Sequence, residues 1–144
     1  DVGGVERARA LGQKLNVGLA IVDKRRPAPG KSQVMNIIGN VKGKNCLLVD
    51  DIIDSGGTIV NAAKALKEKG AKDVYVYVTH GVLSGNAVEQ INNSKIKKLI
   101  LTDTIDNSNK IKKSSKIVVL SISNLMAEAI KRISNSTSVS DLFK

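Results

Sequence analysis

A chain of 144 residues is long enough to bury one domain's core, and 42% apolar with 25% charged residues is ordinary globular composition. Its apolar runs, such as residues 74–78, are far too short to span a bilayer, and a single cysteine, Cys46, excludes an internal disulfide and a cysteine zinc cluster. The 23 Lys and Arg against 13 Asp and Glu give a formal charge of +10, which suits polyanionic ligands; with only Tyr75, Tyr77 and Phe143 as aromatics, a base-stacking platform and nucleic-acid binding are not expected.

The chain opens at Asp1 with no charged-then-apolar signal segment, and helix-like sequence follows at once. It reads as a cytoplasmic piece of something longer. Residues 3–15 place Val5, Ala8, Leu11 and Leu15 at helical spacing. A short apolar strand over 19–22 leads into Lys24-Arg25-Arg26-Pro27-Ala28-Pro29-Gly30-Lys31-Ser32, whose prolines and cations predict a long exposed loop. Residues 33–38 alternate weakly, as a strand would. Over 45–51 the apolar run Cys46-Leu47-Leu48-Val49 predicts a central parallel strand covered on both faces, with Cys46 a buried, inert thiol.

A glycine turn then opens a helix over 58–69, with Ile59, Ala62, Ala63 and Leu66 on one face and Gly70 ending it. Further along come a strand over 74–78, a short helix over 85–92, and strands over 98–102 and 117–120. An amphipathic helix over 123–133 carries Leu125, Met126, Ala129, Ile130 and Ile133. Strands alternating with helices predict an α/β fold with a mostly parallel sheet flanked by helices. The division expected is one domain over residues 1–134 and a polar tail over 135–144.

The chemistry concentrates where the strand over 45–51 meets the helix over 58–69. In open α/β sheets ligands bind at the carboxyl ends of strands, and this strand ends in Asp50-Asp51. Gly56 and Gly57 carry no Cβ, so backbone amides can close on an anion, and the helix start favours negative charge. Ser55 and Thr58 add hydroxyl donors. The result is a phosphate cradle. Asp50 and Asp51 would repel a phosphate, so they serve something else: a sugar's vicinal hydroxyls, or Mg²⁺ carried by a polyphosphate. The competing structural reading is a helix capped by Asp54 or Ser55 beside two surface aspartates, with no ligand.

The stretch Leu47-Leu48-Val49-Asp50-Asp51-Ile52-Ile53-Asp54-Ser55-Gly56-Gly57-Thr58 resembles the phosphoribosyl-diphosphate signature of type I phosphoribosyltransferase folds. Asp1-Val2-Gly3-Gly4 with Arg7-Ala8-Arg9-Ala10, Asp23-Lys24-Arg25-Arg26-Pro27 and Ser32-Gln33-Val34-Met35 narrow the likeness to the ribose-phosphate diphosphokinase family, and Thr79-His80-Gly81, Ser84-Gly85-Asn86-Ala87, Asp103-Thr104-Ile105 and Ala127-Glu128-Ala129-Ile130 extend it. The resemblance runs end to end and implies the carboxy-terminal half of such an enzyme. That family transfers a diphosphoryl group from ATP to the C1 hydroxyl of ribose 5-phosphate, releasing AMP.

The resemblance carries roles onto particular residues. Asp54, Ser55, Gly56, Gly57 and Thr58 form the 5-phosphate loop, and Asp50 and Asp51 serve the ribose hydroxyls. Lys24 and Arg26 belong to a catalytic loop, with Arg26 also touching substrate, and Asp1 is linked to Mg²⁺. Asp54 either caps the loop amides or contacts the sugar. His80 is read as structural rather than as a general base. Residues 106–113 depart from the family pattern, with Asp106 where a proline often stands, and are expected to be peripheral. The implied partners are ribose 5-phosphate, ATP, a missing amino-terminal half, and further copies in a dimer or hexamer; no membrane or nucleic-acid partner is implied. The isolated chain is expected to be inactive. Two other readings compete: a phosphoribosyltransferase consuming phosphoribosyl diphosphate, which leaves Lys24-Arg25-Arg26-Pro27 without a purpose, and a non-catalytic associated subunit, against which the intact motifs stand.

Overall fold

The computed structural model describes residues 2–25 and 34–143, with backbone alone for Val2, Gly3, Lys24, Arg25 and Val34. In chain order the elements are α1 (Val2–Leu15), β1 (Ile21–Arg25), β2 (Val34–Ile38), β3 (Asn45–Ile53), α2 (Gly57–Glu68), β4 (Asp73–Gly81), α3 (Ala87–Asn93), β5 (Lys98–Thr102), α4 (Ser108–Ile111), β6 (Ile117–Leu120) and α5 (Ser123–Ser134). A 3₁₀ turn, Ser140–Phe143, ends the described chain, and the Phe143 carbonyl accepts from Lys14 Nζ at 3.0 Å, which ties the tail to α1.

Among the described residues β3, β4, β5 and β6 form a parallel sheet in that order, and β1 pairs with β2 in a separate antiparallel ribbon. The expected α/β architecture with a mostly parallel sheet flanked by helices is what the chain adopts. Its core lies along β4 and β5, where Val74, Val76, Val78, Leu99 and Leu101 are all fully buried. Against them α2 sets Ile59, Ala62, Ala63 and Leu66, the same four residues that the helical period singles out. The helix closes where Ala71 N–H donates to Leu66 O and Gly70 N–H to Lys67 O, a paired C-terminal lock that uses Gly70 at φ 88°.

Two expectations about β3 need correction. β3 is an edge strand of this sheet rather than a central one, and Leu47 and Ile52 stand 45% and 50% exposed. An unbroken apolar run cannot distinguish burial on both faces from partial cover by loosely packed neighbours. Here β1 bonds to β2 instead of to β3, leaving hollows of about 270 and 260 Å³ beside α1 and β3. Cys46 is accordingly half-buried, with burial raising its thiol pKa and Lys44 pulling it back.

The segment after β5, expected to be peripheral, is mostly exposed apart from Asn107. It forms α4, started by Asp106, whose carboxylate accepts from Ser108 N–H at 2.9 Å, and it buries Asn107. As expected, α5 has an amphipathic face; none of its residues is buried, and Ile130 and Ile133 stand more than half exposed.

Candidate functional site

The site grows out of the carboxyl end of β3. The last core residue of that strand, Ile53, is 2% exposed and anchors the turn from below. Its carbonyl accepts from Val82 N–H at 2.9 Å and Leu83 N–H at 3.3 Å, and Asp54 O accepts from Ser84 N–H at 3.2 Å. The chain then reverses through Gly56 at φ 82° and enters α2 at Gly57. A side-chain-bearing residue is strained in this left-handed region, so glycine is the residue that allows a turn this tight.

No side chain caps α2. Neither Asp54 nor Ser55 therefore satisfies the helix start. The first-turn amides and the dipole therefore face outward beside Ser55 and Thr58, both exposed, as an anion site requires.

Asp50 and Thr58 line the same open hollow of about 260 Å³, whose other walls are apolar residues of α1, β1, β2, β3 and α2, including Val5, Ile21, Leu48 and Ile59. A hydroxyl acceptor and a phosphate-turn hydroxyl thus share one space. Asp51 N–H donates to Asp50 Oδ1 at 2.9 Å, and Arg7 of α1 stands 3.6 Å from Asp51 Oδ2. Burial pushes the Asp50 carboxyl above its ordinary value. Asp51 is held below its ordinary value, first by its hydrogen-bonded contact with Asp50 and further by Arg7. The two carboxyls therefore titrate apart, Asp51 ionising first.

Arg7, which the resemblance includes within Arg7-Ala8-Arg9-Ala10, is the member of this arrangement to which the sequence reading gave no role, since it looks like any polar residue on an amphipathic helix. His80 also lies at this end of the sheet, where its Nδ1 is 2.9 Å from Thr104 Oγ1. Lys24 closes β1 close to its end, and its side chain lies outside the described residues, as do Arg26 and Asp1 altogether. Asp50, Asp51, Asp54, Ser55, Gly56, Gly57 and Thr58 are brought together as one contiguous strand end and turn. Asp54 is exposed, with its backbone carbonyl committed to Ser84. Among the described residues no group of three or more His, Cys, Asp or Glu side chains is placed to hold a metal.

The family profile described as "Phosphoribosyl synthetase-associated domain" matches residues 5–144. The chain belongs to that family. A relative from Bradyrhizobium diazoefficiens, named ribose-phosphate pyrophosphokinase, is 58% identical over 143 residues, covering 99% of this chain and 45% of its own length. A protein of the same name from Hyphomonas neptunium is 60% identical over 144 residues, again 99% of this chain and 46% of the relative. The crystal structure of phosphoribosylpyrophosphate synthetase from Mycobacterium smegmatis superposes with a TM-score of 0.83 at 38% identity, covering 93% of this chain and 43% of that one. The chain spans under half the length of the family relatives it matches, and its α/β fold is theirs.

Proposed function

We propose that this chain is the ribose-phosphate half, the carboxy-terminal one, of a ribose-phosphate diphosphokinase, which moves diphosphate from Mg-ATP to the C1 hydroxyl of ribose 5-phosphate and releases AMP. The observation that carries the reading is the uncapped start of α2 behind Gly56, whose Thr58 lines one hollow with Asp50. The names borne by relatives at 58% and 60% identity support the same reaction class.

In this reading the 5-phosphate sits on the amides of residues 55–58 with the Ser55 and Thr58 hydroxyls, and the ribose hydroxyls donate to Asp50 and Asp51. Each charge-assisted hydrogen bond of this kind contributes about 1.5–3 kcal/mol. Little covalent work falls to the protein in such a transfer, so catalysis rests on orientation and charge. Lys24 and Arg26 supply positive charge toward the β- and γ-phosphates.

Carboxylates are the hard oxygen donors that Mg²⁺ takes one or two at a time, keeping waters and phosphate oxygens for the rest, so Asp1 and the acidic pair fit that ion. When bound, it neutralises charge on the polyphosphate. The domain over residues 1–134 works in the cytoplasm as part of a homo-oligomer, with the partner half bringing most ATP contacts.

The test is reconstitution. Alone, the 144-residue chain should fold, bind ribose 5-phosphate weakly and release no AMP from ATP. Adding the half it lacks, taken from a relative, should restore AMP release that depends on ribose 5-phosphate. AMP release by the chain alone, or none on reconstitution of two folded halves, would contradict the proposal.

A further inference from the structure

We propose that Asn107, with Lys110, positions the anion-binding turn at residues 54–58 from behind, through the backbone of residues 81–84. The inference rests on reading that turn as the ribose 5-phosphate site. It concerns residues outside the turn, in the segment over 106–113 that the sequence reading expected to be peripheral.

The pairing of β3 with β4 ends at Ile53 opposite Gly81. Beyond that point the two chains separate, and the next three amides of the β4 side turn back toward β3. Val82 and Leu83 N–H both donate to Ile53 O, and Ser84 N–H donates to Asp54 O. The two carbonyls that lead into Ser55-Gly56-Gly57 are therefore both held by this one segment.

The segment's own carbonyls point the other way and are held in turn. Gly81 O accepts from Asn107 Nδ2 at 2.7 Å, and Val82 O accepts from Lys110 Nζ at 2.7 Å. Asn107 is 3% exposed, and Nδ2 also donates to Ile105 O at 3.2 Å. Its Oδ1 has no partner among the described residues. Both of its hydrogen-bonding protons are thus spent on carbonyls, and it is as a donor that this side chain is placed.

Two further features show that residues 81–84 need such holding. A Cβ on Gly81 would lie 2.9 Å from Leu101 Cδ2 and 3.2 Å from Asn107 Nδ2, so backbone and brace are in direct contact. Leu83 takes φ 50°, the left-handed region that a leucine adopts only under constraint, while its side chain is buried in the core. The chain of contacts runs from α4 through residues 81–84 to the turn. Because α2 has no side-chain cap, the direction of its first amides depends on the backbone on either side of Gly56, and binding groups misplaced by under 1 Å lose much of their effect.

The experiment uses the ¹⁵N-labelled 144-residue chain, titrated with ribose 5-phosphate. Asn107→Ala removes both donors, Lys110→Met removes the exposed brace without disturbing the core, and Val74→Ala lowers stability from the opposite end of β4. The amide resonances of Ser55, Gly56, Gly57 and Thr58 should move in Asn107→Ala and, less, in Lys110→Met, but not in Val74→Ala. The dissociation constant should rise about tenfold in Asn107→Ala, the equivalent of one buried hydrogen bond. Val74→Ala should leave it unchanged. Unmoved turn resonances in both brace variants would overturn the proposal, as would equal movement in Val74→Ala. If Asn107→Ala does not fold, Lys110→Met decides by the same resonances. Should the unmodified chain bind no ribose 5-phosphate, the ligand assignment falls, while the turn resonances still decide the brace.

Discussion

Arg7 on α1 and Asp51 at the end of β3 lie 3.6 Å apart, and the Asp51 amide in turn donates to the Asp50 carboxylate. One cation from the first helix thereby steadies an acidic pair that, in the proposed function, also accepts from a sugar. Arg7→Ala should let the Asp51 carboxyl titrate closer to its ordinary value, as followed by carboxyl NMR, without bringing it fully there, because the contact with Asp50 is the larger cause. Ribose 5-phosphate affinity should fall only a few-fold, since both partners are well exposed. Arg7→Lys should recover part of the loss.

Asp50 is a site where binding and stability oppose each other. Its folded-state carboxyl titrates above the ordinary value because of burial, so the folded chain binds the proton more tightly than the unfolded chain. The resulting penalty is absent below the ordinary carboxylate value, grows as pH rises through the raised one, and is fully present at neutrality. Asp50→Asn should therefore raise the melting temperature at pH 7, with the gain vanishing on acidification. The same variant should bind ribose 5-phosphate more weakly at pH 7. Comparing the two proteins across pH separates this carboxyl from the ligand's own second phosphate ionisation.

The two glycines of the turn should respond differently. Gly56 sits at φ 82° with its nearest neighbour, Ile53 Cδ1, 3.8 Å from an added Cβ, so Gly56→Ala suffers backbone strain rather than a clash. A loss of about 1–2 kcal/mol in urea unfolding is expected, together with weaker ligand binding. Gly57 starts α2, and a Cβ there meets nothing within 4 Å. Gly57→Ala should be neutral or stabilising by up to about 1 kcal/mol, yet still weaken ribose 5-phosphate by crowding the anion.

In the reconstituted enzyme, Lys24→Ala and Arg26→Ala should each lower kcat by about 10²–10³, the range for removing a preorganised transition-state donor. Substrate dissociation constants should change much less. Equal losses in kcat and in substrate affinity would make these residues a ground-state clamp instead.

Much of this is legible in the sequence where a pattern repeats. The buried face of α2 follows from a helical period, β5 and β6 from short apolar runs, and the turn from two glycines between an acidic strand end and a helix. What is not legible depends on neighbours distant in the chain. Whether β3 lies inside the sheet or at its edge depends on β1, which pairs with β2 instead. A four-residue helix such as α4 has no period to detect, though Asp106 two residues before Ser108 is a recognisable turn start. Nothing local distinguishes Asn107 from any loop asparagine, because its importance comes from Gly81, 26 positions earlier.

The most direct measurement is calorimetric titration of the 144-residue chain with ribose 5-phosphate, alongside ribose at the same concentrations and the Gly56→Val variant. The account predicts saturable one-to-one binding of ribose 5-phosphate, no measurable binding of ribose, and loss of the signal in Gly56→Val. A folded chain that gives no heat with ribose 5-phosphate, or binds it equally well when Gly56 is replaced, would contradict the assignment of the turn as a phosphate site.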